Sequence, residues 1–114
     1  MATKALYCAY EKGKFWPVHD ALMTNEGYDF INNTVKNDKT KSGDLANFLK
    51  SAVNVNDMKN CLDSGKYDSR TTDDMAVATN FGFQGTPDFY ANTTNFTGAY
   101  SFKDMQSAVD AALK

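Results

Sequence analysis

The clearest structural signal in the chain is the stretch Phe83-Gln84-Gly85-Thr86-Pro87-Asp88-Phe89-Tyr90. Pro87 follows a Gly-Thr pair and precedes a short run of residues that is typical of a strand. Because proline cannot donate a hydrogen bond to a sheet, it belongs at the first residue of a strand or on a sheet edge. The Thr86–Pro87 bond is also where a cis peptide forms most readily, since the trans form is favoured by only ~0.5–1 kcal/mol. On these residues alone, an ordinary helix-to-strand turn is the alternative.

A hairpin and a terminal helix are predicted after this turn. Strands are expected at residues 88–91 and 96–99, with a loop at residues 92–95 between them. Ser101 followed by Asp104 resembles a capping box and predicts a helix that begins near residue 102. The apolar residues of that helix are expected to be buried, and they are Phe102, Met105, Val109, Ala112 and Leu113.

Helical periodicity dominates the sequence before the turn. It predicts helices at residues 3–12, from residue 15, from residue 44, after residue 54 or 56, and at residues 67–80. The third of these should be capped by Asp44 and extend to about Val53, whereas Gly13 and Gly65 should end the first and fourth. Residues 25–43 are polar, and we expect them to form a loop around a short apolar anchor.

Composition excludes several classes of protein. The 114 residues suffice for one domain, and their net charge of −2 includes no basic patch that would bind nucleic acid. No apolar stretch reaches the ~20 residues of a membrane span, and no signal peptide is visible in the chain. Near-continuous aliphatic runs are absent, which argues against a large buried sheet. The residue pattern indicates no metal site and no cofactor.

Nucleophilic and acid–base residues are few. Cys8 and Cys61 are 53 positions apart and form neither a CxxC nor a zinc-binding pattern. Their spacing leaves both a disulfide and two buried thiols open. His19 is the only histidine, and no catalytic constellation can be assembled around it. We expect His19, Phe15 and Trp16 to be core residues of the second helix, and we expect no catalytic residue.

Taken together, three segments of the chain resemble the DsbA-like branch of the thioredoxin superfamily. The family patterns are C-A-x-E-x-G-K-F-W-x-x-H-D-x-L, C-L-x-S-G-K-Y, and G-V-x-G-T-P-T-F-x-V-N followed by G-A. The matching segments here begin at Cys8, at Cys61 and at Gly82, the last followed by Gly98-Ala99. They occur in the family's order and at its spacing, so the resemblance covers essentially the whole chain.

The resemblance implies an α/β fold of the thioredoxin-like, DsbA type, in an incomplete form. We expect this form to be predominantly helical, with one short β-hairpin and a C-terminal helix. A single domain over residues 1–114 is expected, with a helical part at 1–82 and the cis-proline loop, hairpin and terminal helix at 83–114. The resemblance further implies that Cys8 and Cys61 form a structural disulfide, and that Thr86 and Pro87 contact substrate.

Two departures from the family pattern limit this reading. The strands and the CxxC-bearing helix of the family come before the segment with which this chain begins, and the 114 residues contain no CxxC. Thr93 stands where the family usually has glycine, and a β-branched residue fits poorly in a turn that needs positive φ.

Two functional hypotheses follow. In the first, the chain is part of a thiol–disulfide oxidoreductase that acts outside the cytoplasm on extended peptide or protein substrates, and it is not redox-active alone. In the second, it is a natural non-catalytic thioredoxin-like binding or assembly module. Without the central strands of the family, the hairpin edge and Phe89 or Tyr90 would face water. We therefore expect either a homodimer formed through that edge or a mainly helical monomer with repacked aromatic residues.

Overall fold

The computed structural model describes all 114 residues, which form seven α-helices, a π-helix, a 3-10 helix and one two-stranded sheet. The helices are α1 (Ala2–Glu11), α2 (Phe15–Leu22), α3 (Asn25–Asp29), α4 (Ser42–Phe48), α5 (Val55–Ser64), α6 (Asp68–Asn80) and α7 (Phe102–Ala112). The strands are β1 (Asp88–Ala91) and β2 (Thr94–Thr97). None of the helices combines the length and the apolar character that crossing a membrane requires.

The chain divides into two compact units, Met1–Asp73 and Asp74–Lys114. The single domain over residues 1–114 stays a prediction. All the buried hydrophobic residues lie in the first unit. They are Ala5, Cys8, Ala9, Val18, Leu22, Val35, Leu45, Ala46, Leu49, Met58 and Leu62.

Local sequence signals set several helix ends in the first unit. The side chain of Asn54 accepts a hydrogen bond from the Asp57 amide and caps α5, as predicted. Gly65 ends α5 with φ +67°, and Gly13 follows α1 with φ +66°, so both predicted stops are confirmed. In α4, however, Asp44 lies within the first turn and does not cap the helix. That helix ends at Phe48, and hydrogen-bonded turns replace its predicted last turn.

The predicted loop over residues 25–43 is wrong, because most of this segment is helical. It contains α3, a π-helix at Phe30–Val35 and a 3-10 helix at Lys39–Lys41. The side chains of Asn32 and Asn33 donate to the Tyr28 carbonyl and to Asp29 Oδ1, each one turn earlier. The asparagines that favoured a loop prediction therefore form side-chain hydrogen bonds within the helical segment.

Gly27 allows α2 and α3 to approach closely. A Cβ atom at this buried position would lie 2.4 Å from the Ala21 carbonyl oxygen and 2.7 Å from that of Leu22. Both neighbours are backbone atoms and cannot swing aside. The Gly27 amide also donates a hydrogen bond to the Thr24 side chain at 2.9 Å, and this bond caps the start of α3.

The second unit contains the hairpin. β1 and β2 pair antiparallel, with Phe89 opposite Phe96 and Ala91 opposite Thr94, so only residues 92 and 93 form the turn. β1 was predicted correctly, whereas β2 begins two residues earlier than expected. Asn92 adopts φ +53°, a conformation that asparagine tolerates better than most residues. Thr93 is not among the residues with positive φ, and the turn therefore closes despite its β-branched side chain.

α7 begins as predicted but does not bury its apolar residues. Ser101 Oγ accepts a hydrogen bond from the Asp104 amide and donates to Asp104 Oδ2, which confirms the cap. Phe102 and Leu113 are nevertheless 82% and 80% exposed, and no residue from 74 to 114 is buried. The predicted buried face was wrong because two strands and one helix supply too few layers to enclose it.

Candidate functional site

The predicted substrate-binding residues lie in the loop between α6 and β1. Thr86 and Pro87 are both exposed, and the peptide bond between them is cis. Pro87 lies directly before Asp88, the first residue of β1. Because Pro87 is outside the strand, its missing N–H does not cost the sheet a hydrogen bond. The Pro87 carbonyl accepts a hydrogen bond from the Gly98 amide at 3.0 Å. The loop is thereby tied to the chain that leaves β2.

An aromatic cluster (Phe81, Phe83 and Tyr90) holds the two ends of this loop together. The ring centroids lie 5.9 Å apart for Phe81–Phe83, 5.3 Å for Phe81–Tyr90 and 5.7 Å for Phe83–Tyr90. The Tyr90 hydroxyl also donates to the Phe81 carbonyl at 3.1 Å. The contacts of Tyr90 with Phe81 and Phe83 were not predicted, and the aromatic residues on either side of Thr86-Pro87 were the sequence signal that could have indicated them.

The two cysteines are bonded to each other. Cys8 of α1 and Cys61 of α5 form a disulfide with their Cα atoms 6.0 Å apart, within the range that such a bond allows. This is the pairing that the resemblance implied, and the alternative of two free thiols is wrong, because the chain has no free cysteine. Cys8 is 3% exposed and Cys61 is half-buried. Both sulfur atoms are therefore engaged in this one bond.

A pocket with a volume of about 330 Å³ lies beside this disulfide and is called the cysteine pocket below. It is lined by Cys8, Glu11, Lys12, Lys14, Lys50, Ser51, Ala52, Val53, Asn54, Asp57, Met58 and Cys61. The Nζ atom of Lys12 lies 3.8 Å from Asp57 Oδ2. Three separate segments of the chain form this pocket, so no local motif could predict it.

A hydrogen-bonded cluster lies near the C-terminal end of α1. Glu11 accepts hydrogen bonds from the Tyr67 hydroxyl and from Lys66, whose Nζ lies 2.5 Å from Glu11 Oε1. The bond from Lys66, followed by that from Tyr67, lowers the pKa of Glu11. The same bond to the Glu11 carboxylate raises the pKa of Tyr67. This arrangement keeps Glu11 charged and Tyr67 protonated at neutral pH, so neither group is poised for proton transfer.

The predicted core positions on α2 are partly wrong. Trp16 is 66% exposed, whereas Phe15 and His19 are half-buried. His19 Nδ1 lies 3.1 Å from Asp20 Oδ1. The eight-residue helix buries only Val18 and Leu22. The His19 ring instead contacts the Phe15 and Trp16 rings, at centroid distances of 5.9 and 5.2 Å.

Comparison with known proteins places this geometry in a family. The model of a family described as thioredoxin matches residues 1–111. The chain is also 25% identical over 113 residues to the Na(+)/H(+) antiporter NhaA 3 of Salinispora tropica, a match that covers 98% of this chain but only 16% of the antiporter. No solved structure matches the chain. Since the family model spans almost every residue, from α1 to the last turns of α7, the chain belongs to the thioredoxin family.

Proposed function

We propose that this chain is part of a DsbA-like thiol–disulfide oxidoreductase, to which it contributes the helical insertion and the cis-proline loop but not the redox dithiol. The observation that carries the proposal is the exposed Thr86–Pro87 loop directly before β1, in a chain of the thioredoxin family. The three family-like segments that begin at Cys8, Cys61 and Gly82 support the DsbA-like subtype.

Thr86 and Pro87 bind an extended substrate in this proposal. The structure gives the backbone of Thr86 no hydrogen bond, so its N–H and C=O are available to pair with a peptide strand. Main-chain pairing of this kind provides affinity without demanding a particular side chain, as an enzyme with many protein substrates requires.

The redox step requires a dithiol from outside these 114 residues. Cys8 and Cys61 are both used in one disulfide, and the sequence contains no CxxC. In the proposal this disulfide has a structural role, because it joins α1 to α5 across a loop of 53 positions. Such bonds persist in oxidising compartments, which supports an extracytoplasmic location.

An insulin-reduction assay tests this proposal. The chain alone should give only the background rate. Joined to the CxxC-bearing strand–helix–strand segment of a DsbA-like protein, it should support turnover, and Pro87→Ala should remove most of that activity. The matched control is Pro17→Ala, which alters the only other proline and lies in the first turn of α2.

Two results would contradict the proposal. One is turnover by the unmodified chain that disappears in a Cys8→Ser variant, which would make Cys8 a redox residue. The other is a folded Pro87→Ala fusion that is as active as its parent, which would separate the loop from substrate binding.

A non-catalytic binding or assembly module is the second candidate function. The unburied second unit favours it, because an open hairpin with exposed Phe89 and Tyr90 offers a surface to another chain. The match to a short part of a much longer antiporter also supports it, since a sequence of this kind then occurs within a larger protein. The partner proposed for this surface is a second copy of the chain, paired through the hairpin edge.

A further inference from the structure

We propose that the cysteine pocket admits a small anionic thiol, which reduces the Cys8–Cys61 disulfide by attack on the Cys61 sulfur. The inference goes beyond the proposed function, in which this bond is only a crosslink and the redox chemistry belongs to a different dithiol. It concerns the first unit alone, and it does not depend on the Thr86–Pro87 loop.

The size and exposure of the pocket determine what can reach the bond. Its volume of about 330 Å³ lies at the lower end of the ~300–1,000 Å³ that is typical of small-molecule sites. A small thiol fits such a space, whereas the disulfide loop of a folded protein does not. Cys8 is buried and Cys61 is half-buried. An incoming thiolate therefore meets the sulfur of Cys61 first.

The charges around the pocket favour an anion. Glu11 is already engaged by Lys66 and Tyr67, and Asp57 is paired with Lys12. Lys14 and Lys50 also line the pocket, and the structure gives the side chain of neither an ion pair or a hydrogen bond. Two uncompensated ammonium groups attract a negatively charged thiol, and they raise the fraction of it that is present as thiolate.

The exchange proceeds in two balanced steps. The ligand thiolate attacks Cys61 Sγ and forms a mixed disulfide, while the electron pair of the broken bond leaves on Cys8 Sγ, which takes a proton from water. A second molecule of the same thiol then attacks the ligand sulfur of the mixed disulfide and releases Cys61 as a thiolate. Two ligand thiols are oxidised to one disulfide, and one protein disulfide is reduced.

Rates of reduction by thiols of different charge test the proposal on the full chain. The probes are 3-mercaptopropionate, 2-mercaptoethanol and cysteamine, which are anionic, neutral and cationic. Each rate is divided by the rate of the same thiol on hydroxyethyl disulfide, which corrects for intrinsic reactivity. At low ionic strength the anionic thiol should exceed the neutral one by about three- to tenfold, and 1 M salt should remove most of this difference.

Variants and adduct mapping complete the test. Lys14→Gln/Lys50→Gln should lose the preference for the anionic thiol, whereas Lys36→Gln/Lys103→Gln, which changes the net charge equally at residues outside the pocket, should keep it. Mass spectrometry after acid quenching should find the mixed disulfide on Cys61. Equal normalised rates for the three thiols, a preference that survives Lys14→Gln/Lys50→Gln, an adduct on Cys8, or reduction only in denaturant would each overturn the proposal.

Discussion

The rings of Tyr7 and Tyr67 stack with their centroids 5.1 Å apart and an angle of 17° between their planes. Tyr7 is followed directly by Cys8, which is bonded to Cys61. Two consecutive residues of α1 are thus held to the segment formed by α5 and the residues after it, one by ring stacking and the other by a covalent bond. The stacking contact is worth about 0.5–1.5 kcal/mol beyond its buried area, which is less than a disulfide contributes.

Reduction of the disulfide should destabilise the first unit while leaving it folded. For a closed loop of this length, the chain-entropy estimate gives a loss of about 4 kcal/mol in the free energy of unfolding. Urea denaturation of the oxidised and reduced protein, followed by circular dichroism, measures the difference. The Cys8→Ala/Cys61→Ala variant is the control for the reduced form, since it cannot reoxidise during the measurement. Coincident midpoints for the oxidised and reduced forms would contradict the crosslinking role.

Replacement of Gly27 by alanine should be strongly destabilising. The new methyl group would collide with backbone carbonyls of α2, so the helices must separate, at a cost of about 1–3 kcal/mol or more. Gly43→Ala is the matched control, because its Cβ would meet only the flexible Lys59 side chain at 3.6 Å. In α4 that change should be neutral or stabilising by up to about 1 kcal/mol. Equal effects of the two substitutions in urea denaturation would rule out the close helix contact.

Acid should weaken the protein between about pH 4 and pH 2 through Asp68. Hydrogen bonds from Lys39 and from Lys4 lower the pKa of this carboxyl to about 2, below its ordinary value of 3.8. Since the folded-state pKa is the lower one, the contribution is fully present above about pH 4 and is lost as the pH falls through 2. Asp68→Asn should flatten the dependence of the urea midpoint on pH in this window. Asp110→Asn, which removes a carboxylate without an ion pair, should leave the dependence unchanged.

The chain should form dimers through its hairpin edge. Phe89 and Tyr90 are 38% and 40% exposed on a two-stranded sheet with open edges, an arrangement that favours pairing with another chain. Sedimentation at low micromolar concentration should give a dimer for the parent and for Phe102→Lys, and a monomer for Phe89→Lys. Phe102 is the matched control because it is exposed but lies on α7. A monomeric parent whose hairpin amides are well protected from hydrogen exchange would refute the association.

Local chemistry made part of this fold predictable from the sequence. The cap at Asn54, the cap at Ser101 and the stop at Gly65 each depend on a few neighbouring residues, and all three are present. Leu45 and Leu49, which are four positions apart as on one face of a helix, are both buried. The position of Pro87 before the strand followed from its missing N–H group.

Features that depend on distant partners were not predictable in this way. The periodicity of α7 identified a helix but not its exposure, since burial requires other elements to cover the face. The π-helix at Phe30–Val35 has an Lys36-to-Ile31 hydrogen bond, a register that a period of 3.6 residues does not reveal. The cysteine pocket combines residues from three segments, so it became visible only with the fold.

The unequal burial of the two units determines how the chain should absorb heat. Melting enthalpy comes largely from tightly packed structure, at about 0.7 kcal/mol per residue near 60 °C. The core lies within Met1–Asp73, and nothing from residue 74 onward is buried. A dilute solution should therefore give a calorimetric peak of about 50 kcal/mol, the value for 73 residues, and not the roughly 80 kcal/mol of a uniformly packed chain of 114. Dimerisation that buries the second unit should raise the unfolding enthalpy of this transition toward the larger value.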